Sequence, residues 1–444
     1  MLQDNNLSWP LVFCGIWLAM LGSAHASSLV FIDPPSGDVV STGGAISADG
    51  KTIVGLSTKV VASPYLAFRW SAKGGSKTLG FVSGLKSNDL ATGVSGDGSV
   101  IVGFGNGTSG MGSFRWTKAG IQTLGLAKGD DTNIANGISV DGNVVVGATG
   151  STTKDRAGAF RWTATNHFTS IGKLPGHSSA IANAVSANGA VVVGSSSDTP
   201  NKIERAFRWT AGGGMVDLGT LEGDTDSAAY GVSGDGSVVV GVSRRNTVSH
   251  AFRWTASGGM VNLGKLGGDL SAIAYATNGD GSVVVGESQG NSAVIGASRG
   301  FRWTTQRGME DLRDVINAVG IDTPGGIQIL SANGVSANGA AILGHGFDSN
   351  GIDKIFLATL AQPTISAVSP DSGAKAGGIK VVLTGTQFVA VKAVRFGARE
   401  ATGLKVNSKS KITVTTPAHS AGAVAVTVET EAGVANKPAA YTFQ

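Results

Sequence analysis

The chain has 444 residues, with 34 Lys+Arg against 30 Asp+Glu, only 14% charged residues in all, and 68 glycines. That length allows two or three domains, and the regular Val/Ile runs between the glycines exclude Gly-rich disorder in favour of a turn-rich all-β protein. The one cysteine, Cys14, lies in the N-terminal segment, so disulfide stabilisation and thiol chemistry are excluded for the rest of the chain.

Residues 1–26 read as a secretory signal peptide. Leu11 to Gly22 is an apolar run too short to span a bilayer, and Ala24-His25-Ala26 is a small-residue cleavage site. The n-region departs from the type, with Asp4 and no Lys or Arg, which leaves an uncleaved anchor as the alternative. Phe13 before Cys14 does not suit a lipoprotein box.

From 27 to 361 one pattern recurs. An F-R-W triplet begins at Phe68, Phe114, Phe160, Phe207, Phe252 and Phe301, at spacings of 46, 46, 47, 45 and 49 residues. Each unit opens with a short apolar run and a turn dipeptide: Asp49-Gly50, Asp97-Gly98, Asp141-Gly142, Asn188-Gly189, Asp235-Gly236, Asp280-Gly281 and Asn338-Gly339. Between Val/Ile-rich segments such a dipeptide predicts a hairpin, of type I′ if both central residues take φ > 0. A second apolar run then closes on a Gly, five residues after the turn Gly in all seven units. A variable loop, the A-F-R-W strand, a T-A-x-G-G turn and a fourth strand such as Met215 to Gly219 complete the unit. One unit is thus a four-stranded antiparallel meander, strands a, b, c and d. Alone it cannot bury both apolar faces; radial stacking of several does so, which predicts a β-propeller.

Phe and Trp of A-F-R-W share a face because side chains alternate along a strand. Trp70, Trp116, Trp162, Trp209, Trp254 and Trp303 are all the tryptophans beyond residue 26. Aromatic side chains each bury roughly 150–250 Å², so the six are expected in the core between blades. The intervening Arg recurs in every such strand, which argues for a structural role.

Seven turns stand against six F-R-W strands. The seventh c strand is degenerate, Ile355 to Leu360, and no d strand follows it. Leu29 to Asp33 precedes Gly50 as Leu218 precedes Gly236, by 18 residues, and so has the place of an orphan d strand. The expected architecture is a seven-bladed β-propeller closed by this N-terminal strand, with no open sheet edge. Arg313 to Gly320 is expected to add a short helix in a connection nine residues longer than most.

At Gln362 the pattern stops. In 363–444 short alternating runs separated by Gly/Pro turns imply a β-sandwich of immunoglobulin type. Its Pro363, Ser369-Pro370, Ser372-Gly373, Gly377-Gly378, Leu383-Thr384-Gly385, Phe388, Phe396-Gly397, Pro417, Gly422, Tyr441 and Phe443 resemble the IPT/TIG family. The repeats, with GVS-x-DG-x-VVVG, AFRWT and GM-x-x-LG, resemble the bacterial HAF family of extracellular repeats. That resemblance implies an extracellular or envelope location and supplies no chemistry. His250 is the only His of the name-giving triplet, so the histidine is not expected to be a site.

Charge divides unevenly: residues 27–361 carry 25 basic and 25 acidic side chains, and 363–444 carry 9 basic and 4 acidic. The basic excess reads as a solvated face with weak attraction to anionic surfaces, and no nucleic-acid partner is expected. The Asp-Gly turns each offer one acid, replaced by Asn188 and Asn338 in two units, which does not suit a calcium loop. Ser47-Ala48-Asp49-Gly50 only begins like a sialidase box. Gly296-Ala297-Ser298-Arg299-Gly300 lacks the strand-turn-helix context of a nucleophile elbow, and His167, His177, His250, His345 and His419 lack zinc spacing. No catalytic residue, metal or cofactor is therefore expected.

What remains is the loops. The b–c loops vary from 10 to 14 residues between the strand Gly and the next Phe, and hold unrepeated polar groups: Lys202, Glu204, Arg205, Arg244, Arg245 and Arg299. Functional residues concentrate on loops held by a rigid scaffold. The expectation is a secreted or envelope-located, monomeric, non-enzymatic binding protein. Its partner is a glycan, a protein or an envelope component, and no span crosses a membrane in the mature chain. The alternatives are a propeller-based glycan hydrolase or lyase and a purely structural envelope protein.

Overall fold

A computed structural model describes residues 26–38, 40–59, 64–80, 85–107, 110–151, 156–198, 203–290, 298–323 and 326–444. The signal-like segment to residue 25, including Cys14, and Lys202 lie outside the described residues. The repeats form seven four-stranded antiparallel sheets. In units one to six each sheet is a consecutive a-b-c-d meander, as in Asp226–Val232, Val238–Arg245, Val248–Thr255 and Gly259–Asn262 of the fifth. The seventh is composite. Its a, b and c strands, Gln328–Val335, Ala341–Phe347 and Asp353–Thr359, take Ser28–Ile32 as their fourth, with Ser28 opposite Thr359 and Ile32 opposite Ile355.

The hairpin turns are not of the expected type. Only the glycine is left-handed, with φ +76° at Gly236, while Asp235 is not among the residues of positive φ. Gly236 N donates to Ser233 O at 3.0 Å and Ser233 N to Val238 O at 2.9 Å, so four residues make the loop. Asp235 instead keeps its carboxylate over the turn, accepting from Ser233 Oγ at 2.6 Å and Ser237 N at 2.9 Å. Ser233 Oγ in turn accepts from Val238 N at 3.0 Å. The motif is therefore S-x-D/N-G, with Asn278 in place of the serine in the sixth unit, and an Asx turn locks its end. The residue before the Asp or Asn serves another purpose, because its peptide group bonds to the next unit. Gly96 N donates to Val140 O, Val140 N to Ala187 O, Ala187 N to Gly234 O, Gly234 N to Gly279 O, Gly279 N to Ala337 O and Ala337 N to Ala48 O. Asp49 N donates to Gly96 O at 3.1 Å and brings this belt back to its start. The a strands of consecutive units touch in the same order, from Val40–Ile46 round to Gln328–Val335 and back.

The c-strand phenylalanine is the centre of each inter-sheet core. Phe68, Phe114, Phe160, Phe207, Phe252, Phe301 and the degenerate Phe356 are all fully buried. A glycine within the b strand makes room for it in several units: a Cβ on Gly286 would lie 2.0 Å from Ile273 O and 2.7 Å from the Phe301 ring. The tryptophans differ from expectation. Trp162 is buried at 8% exposure, but Trp70, Trp116, Trp209, Trp254 and Trp303 are half-buried at the margins of these cores. They sit two residues further along the c strand, beside the short d strand, where less of the neighbouring unit covers them. The F-R-W arginine links units: Nε of Arg161, Arg208 and Arg253 donates to the turn-glycine carbonyl of the next unit, Gly189, Gly236 and Gly281, at 3.2–3.3 Å.

Helix α1 spans Leu312–Ala318, N-capped by Asp311, and buries Leu312, Val315 and Ile316 against the seventh unit. Beyond Gln362, a four-stranded and a five-stranded sheet enclose a core that includes Phe388, Phe396, Tyr441 and Phe443. In the sixth unit Arg302 turns from the inter-unit link to this domain, donating to Glu431 O at 2.7 Å and to Glu310 at 2.8 Å. Arg307 joins it, 2.6 Å from the Glu431 carboxylate.

Candidate functional site

Every a strand carries a β-bulge, five residues before the turn acid or amide, that leaves one extra residue: Gly44, Thr92, Asn136, Asn183, Tyr230, Tyr275 and Asn333. A bulge re-aims its side chain and locally interrupts the ladder. Three of these side chains clasp the next unit. Thr92 Oγ1 donates to Ala135 O at 2.7 Å, Asn136 Nδ2 to Ala182 O at 2.9 Å, and Asn183 Nδ2 to Ala229 O at 2.8 Å. Units five and six break the series with tyrosines.

The Tyr230 and Tyr275 rings lie 6.2 Å apart, tilted at 44°. Tyr230 Oη accepts from Arg244 Nη2 at 2.8 Å, and Arg244 Nη1 meets Glu204 Oε2 at 3.0 Å. Tyr275 Oη donates to Glu287 Oε2 at 3.0 Å, whose other oxygen accepts from Gln289 Nε2 at 3.2 Å. Burial, followed by the Glu287 charge and hydrogen bond, pushes the Tyr275 hydroxyl above the usual phenol range, so it stays a proton donor. One continuous polar and aromatic cluster thus spans units four to six. All five principal side chains are half-buried. Arg244 and Glu287 stand near the ends of b strands and Glu204 at the start of a c strand, so the cluster faces the side of the b–c and d–a connections.

The loop residues singled out in the sequence separate into two groups. Glu204 and Arg244 meet in the cluster, and Arg245 beside them is exposed. Arg205 is held by Thr225 O and lies 3.9 Å from Asp217. Arg299 bridges Asp269 at 2.9 Å and Asp311 at 3.3 Å, and His250 pairs with Asp224 at 2.9 Å from the equivalent place in the fifth unit. This second group ties c strands to their own d strands and to the d–a connections. Tyr230, Tyr275 and Glu287 were not singled out, although the position five before the turn reads G, T, N, N, Y, Y, N along the sequence.

The turn acids are similarly committed to structure. Hydrogen bonds from Ser99 and Ser95 hold Asp97 down at about 2, and the Ser139 and Ser233 hydroxyls hold Asp141 and Asp235 below the usual carboxylate range. Among the described residues no group of three or more His, Cys, Asp or Glu is placed to hold a metal ion. Ser298 of the G-x-S-x-G stretch lies in the c strand Ser298–Thr304, while Gly296 and Ala297 lie outside the described residues. A crevice of about 780 Å³ lies on the opposite, turn-bearing side between the first and seventh units, lined by Lys51, Arg69, Trp70, Lys73 and Gln362.

Residues 363–444 match the IPT/TIG domain model, and the C-terminal sandwich is of that type. No curated protein matches the sequence. Among solved structures the chain is similar to an oligogalacturonate lyase from Vibrio parahaemolyticus, at 11% identity over 76% of this chain and 97% of that one, TM-score 0.49. It is similar also to the β-propeller domain of the Trilobed protease from Pyrococcus furiosus, at 9% identity over 73% and 93%, TM-score 0.48. A third is TolB from Acinetobacter baumannii, at 13% identity over 70% of this chain and 65% of that one, TM-score 0.40.

Proposed function

We propose that this is an exported, non-enzymatic binding protein of the cell envelope or cell surface. Residues 27–361 are a seven-bladed β-propeller of HAF type, shut by the strand Ser28–Ile32, and 362–444 are an IPT/TIG module fixed against it. Residues 1–26 direct export. The chain acts as a monomer, and the face carrying the b–c and d–a connections, around Glu204, Arg244 and Arg245, contacts a glycan, a protein or an envelope component. One observation carries this reading: the cluster linking Glu204, Arg244, Tyr230, Tyr275 and Glu287 has no counterpart in the clasps of units two to four. A scaffold needs its repeats alike, and a site needs them to differ.

A second reading, a glycan hydrolase or lyase, is favoured by the Tyr275–Glu287 pair, since a carboxylate beside a hydroxyl is the arrangement of a base and its nucleophile. The raised pKa of Tyr275 weighs against it. The test is a glycan and protein array probed with the purified protein, followed by Arg244→Ser/Arg245→Ser and, separately, Lys73→Ser/Lys118→Ser. Loss of the ligand in the first pair alone is expected; loss in the second pair alone, with folding intact, overturns the assignment. New reducing or unsaturated ends after incubation with the glycans would establish the enzymatic reading instead.

A further inference from the structure

We infer that Tyr230 and Tyr275 form a subsite for a neutral, hydroxyl-rich saccharide, an inference that rests on the binding face proposed above. The argument begins with what the two positions do elsewhere. Thr92, Asn136 and Asn183 each close the gap to the next a strand with a side-chain hydrogen bond of 2.7–2.9 Å. Tyrosine in the same place gives up that clasp, because its hydroxyl is several bonds further from the backbone. Neither side chain is fully buried. Two adjacent units therefore share a departure that exchanges the clasp for hydrogen bonds to Arg244 and Glu287 and leaves part of each tyrosine exposed. Surface of this kind, with a few convergent polar groups, marks a ligand site.

The polar groups select the ligand. Tyrosine offers a flat apolar face with a polar handle, suited to a ligand that alternates apolar and hydroxyl surface, as a sugar ring does. Carboxylate oxygens accept from ligand hydroxyls, and two carboxylates, Glu204 and Glu287, flank the pair. The cation between them, Arg244, already faces Glu204 and Tyr230. Arg244 balances Glu204 and leaves Glu287 as the unbalanced charge in contact with the ring pair, with the exposed Arg245 outside the cluster, so an anionic sugar at the rings meets like charge, which disfavours it. A neutral sugar meets acceptors at both ends of an aromatic pair.

The repeat itself supplies the test variants. Tyr230→Asn and Tyr275→Asn install the residue of units three and four, so the fold is kept and the clasp restored. The full chain and both variants are titrated calorimetrically with maltohexaose, cellohexaose and chitohexaose, and with hexagalacturonate as the acidic counterpart. The expected result is binding of at least one neutral hexasaccharide, weakened at least tenfold by either substitution, with a melting temperature unchanged or raised. Neutral saccharide binding that Arg244→Ser abolishes and both Asn variants leave intact overturns the tyrosine subsite but keeps the face. Preference for hexagalacturonate, or no binding of any neutral probe at millimolar concentration, overturns the ligand class. In that case a protein ligand lost on Arg244→Ser would leave the general binding reading standing.

Discussion

Arg307 and Glu431 meet at 2.6 Å across the junction between the sixth unit and the IPT/TIG module, with side chains only 14% and 7% exposed. Arg307 Nη2 also donates to Thr430 O at 3.0 Å, and Gln362 Nε2 to Ala432 O at 2.7 Å, so one loop of the module is gripped from two sides. Burial works to raise the Glu431 carboxyl, but hydrogen bonds and charge from Arg307 and Lys392 outweigh it and hold it below the usual range. Breaking one partner of an isolated buried pair costs roughly 3–5 kcal/mol, but Arg307 also lies 3.2 Å from Glu310 and 3.7 Å from Glu429, so the loss of Glu431 alone leaves it partly compensated. Glu431→Gln is expected to destabilise the junction by about 2 kcal/mol, below the range for an isolated buried pair, and to split the calorimetric transition of the full chain into two. Lys392→Ala removes a 54% exposed partner of the same carboxylate and should cost under about 1 kcal/mol. Equal effects of the two would show that the junction does not depend on the buried pair.

Phe252 and Trp254 lie on one face of one strand, yet Phe252 is fully buried and Trp254 half-buried. Phe252→Ala is expected to cost roughly 3–5 kcal/mol in urea unfolding. Trp254→Ala should cost less, about 2 kcal/mol, because part of its ring already meets water. A larger loss at Trp254 would return the tryptophan to the centre of the core.

The strand order was legible because period, turn spacing and the 18-residue offset of the N-terminal strand are one-dimensional quantities. Ser28–Ile32 pairs with Asp353–Thr359, as that offset requires. Helix α1 was legible for the same reason, as an interruption of constant length. The relative depth of Phe and Trp was not, since alternation puts both on one face and says nothing of how far the next unit extends over it. The Arg302 contact with Glu431 was hidden as well: its sequence neighbourhood is that of the other five arginines, and only the placement of the C-terminal module diverts it. Tyr230 and Tyr275 were readable in principle. A bulge shifts the alternation by one residue, however, and a strand read with period two passes over the residue that the bulge re-aims.

Removing Leu29 to Asp33 takes away four of the five residues by which Ser28–Ile32 pairs with the c strand Asp353–Thr359. It also removes the Asp33–Lys354 ion pair at 2.8 Å. The exposed c strand would present a free edge with Phe356 beneath it. The shortened protein should lose cooperative unfolding or aggregate, as scored by light scattering during a thermal ramp. A deletion that melts like the parent chain would show that the seventh sheet holds without its fourth strand.

Stability should fall in acid through the turn carboxylates. The Ser99 and Ser95 bonds hold Asp97 down at about 2, and Asp141 and Asp235 are lowered by their serine partners. At Asp280 burial works the other way but is outweighed by bonds from Ser282 and Asn278. A carboxyl with a depressed folded pKa contributes its stability above the unfolded value, near 4, and loses it as pH falls toward the folded value. The window is therefore about pH 4 down to 2. Asp311 runs in the opposite sense, because burial raises its carboxyl, and it offsets part of the loss. Asn188 and Asn338 make the same bonds without titrating, to Ser186 Oγ at 2.9 Å and Ser336 Oγ at 2.7 Å. Substituting Asn for Asp97, Asp141, Asp235 and Asp280 together should thus keep the turns and flatten the fall of the melting temperature between pH 4 and 2. An unchanged slope in the fourfold variant would assign acid sensitivity to other carboxylates, with Glu431 at the domain junction first among them.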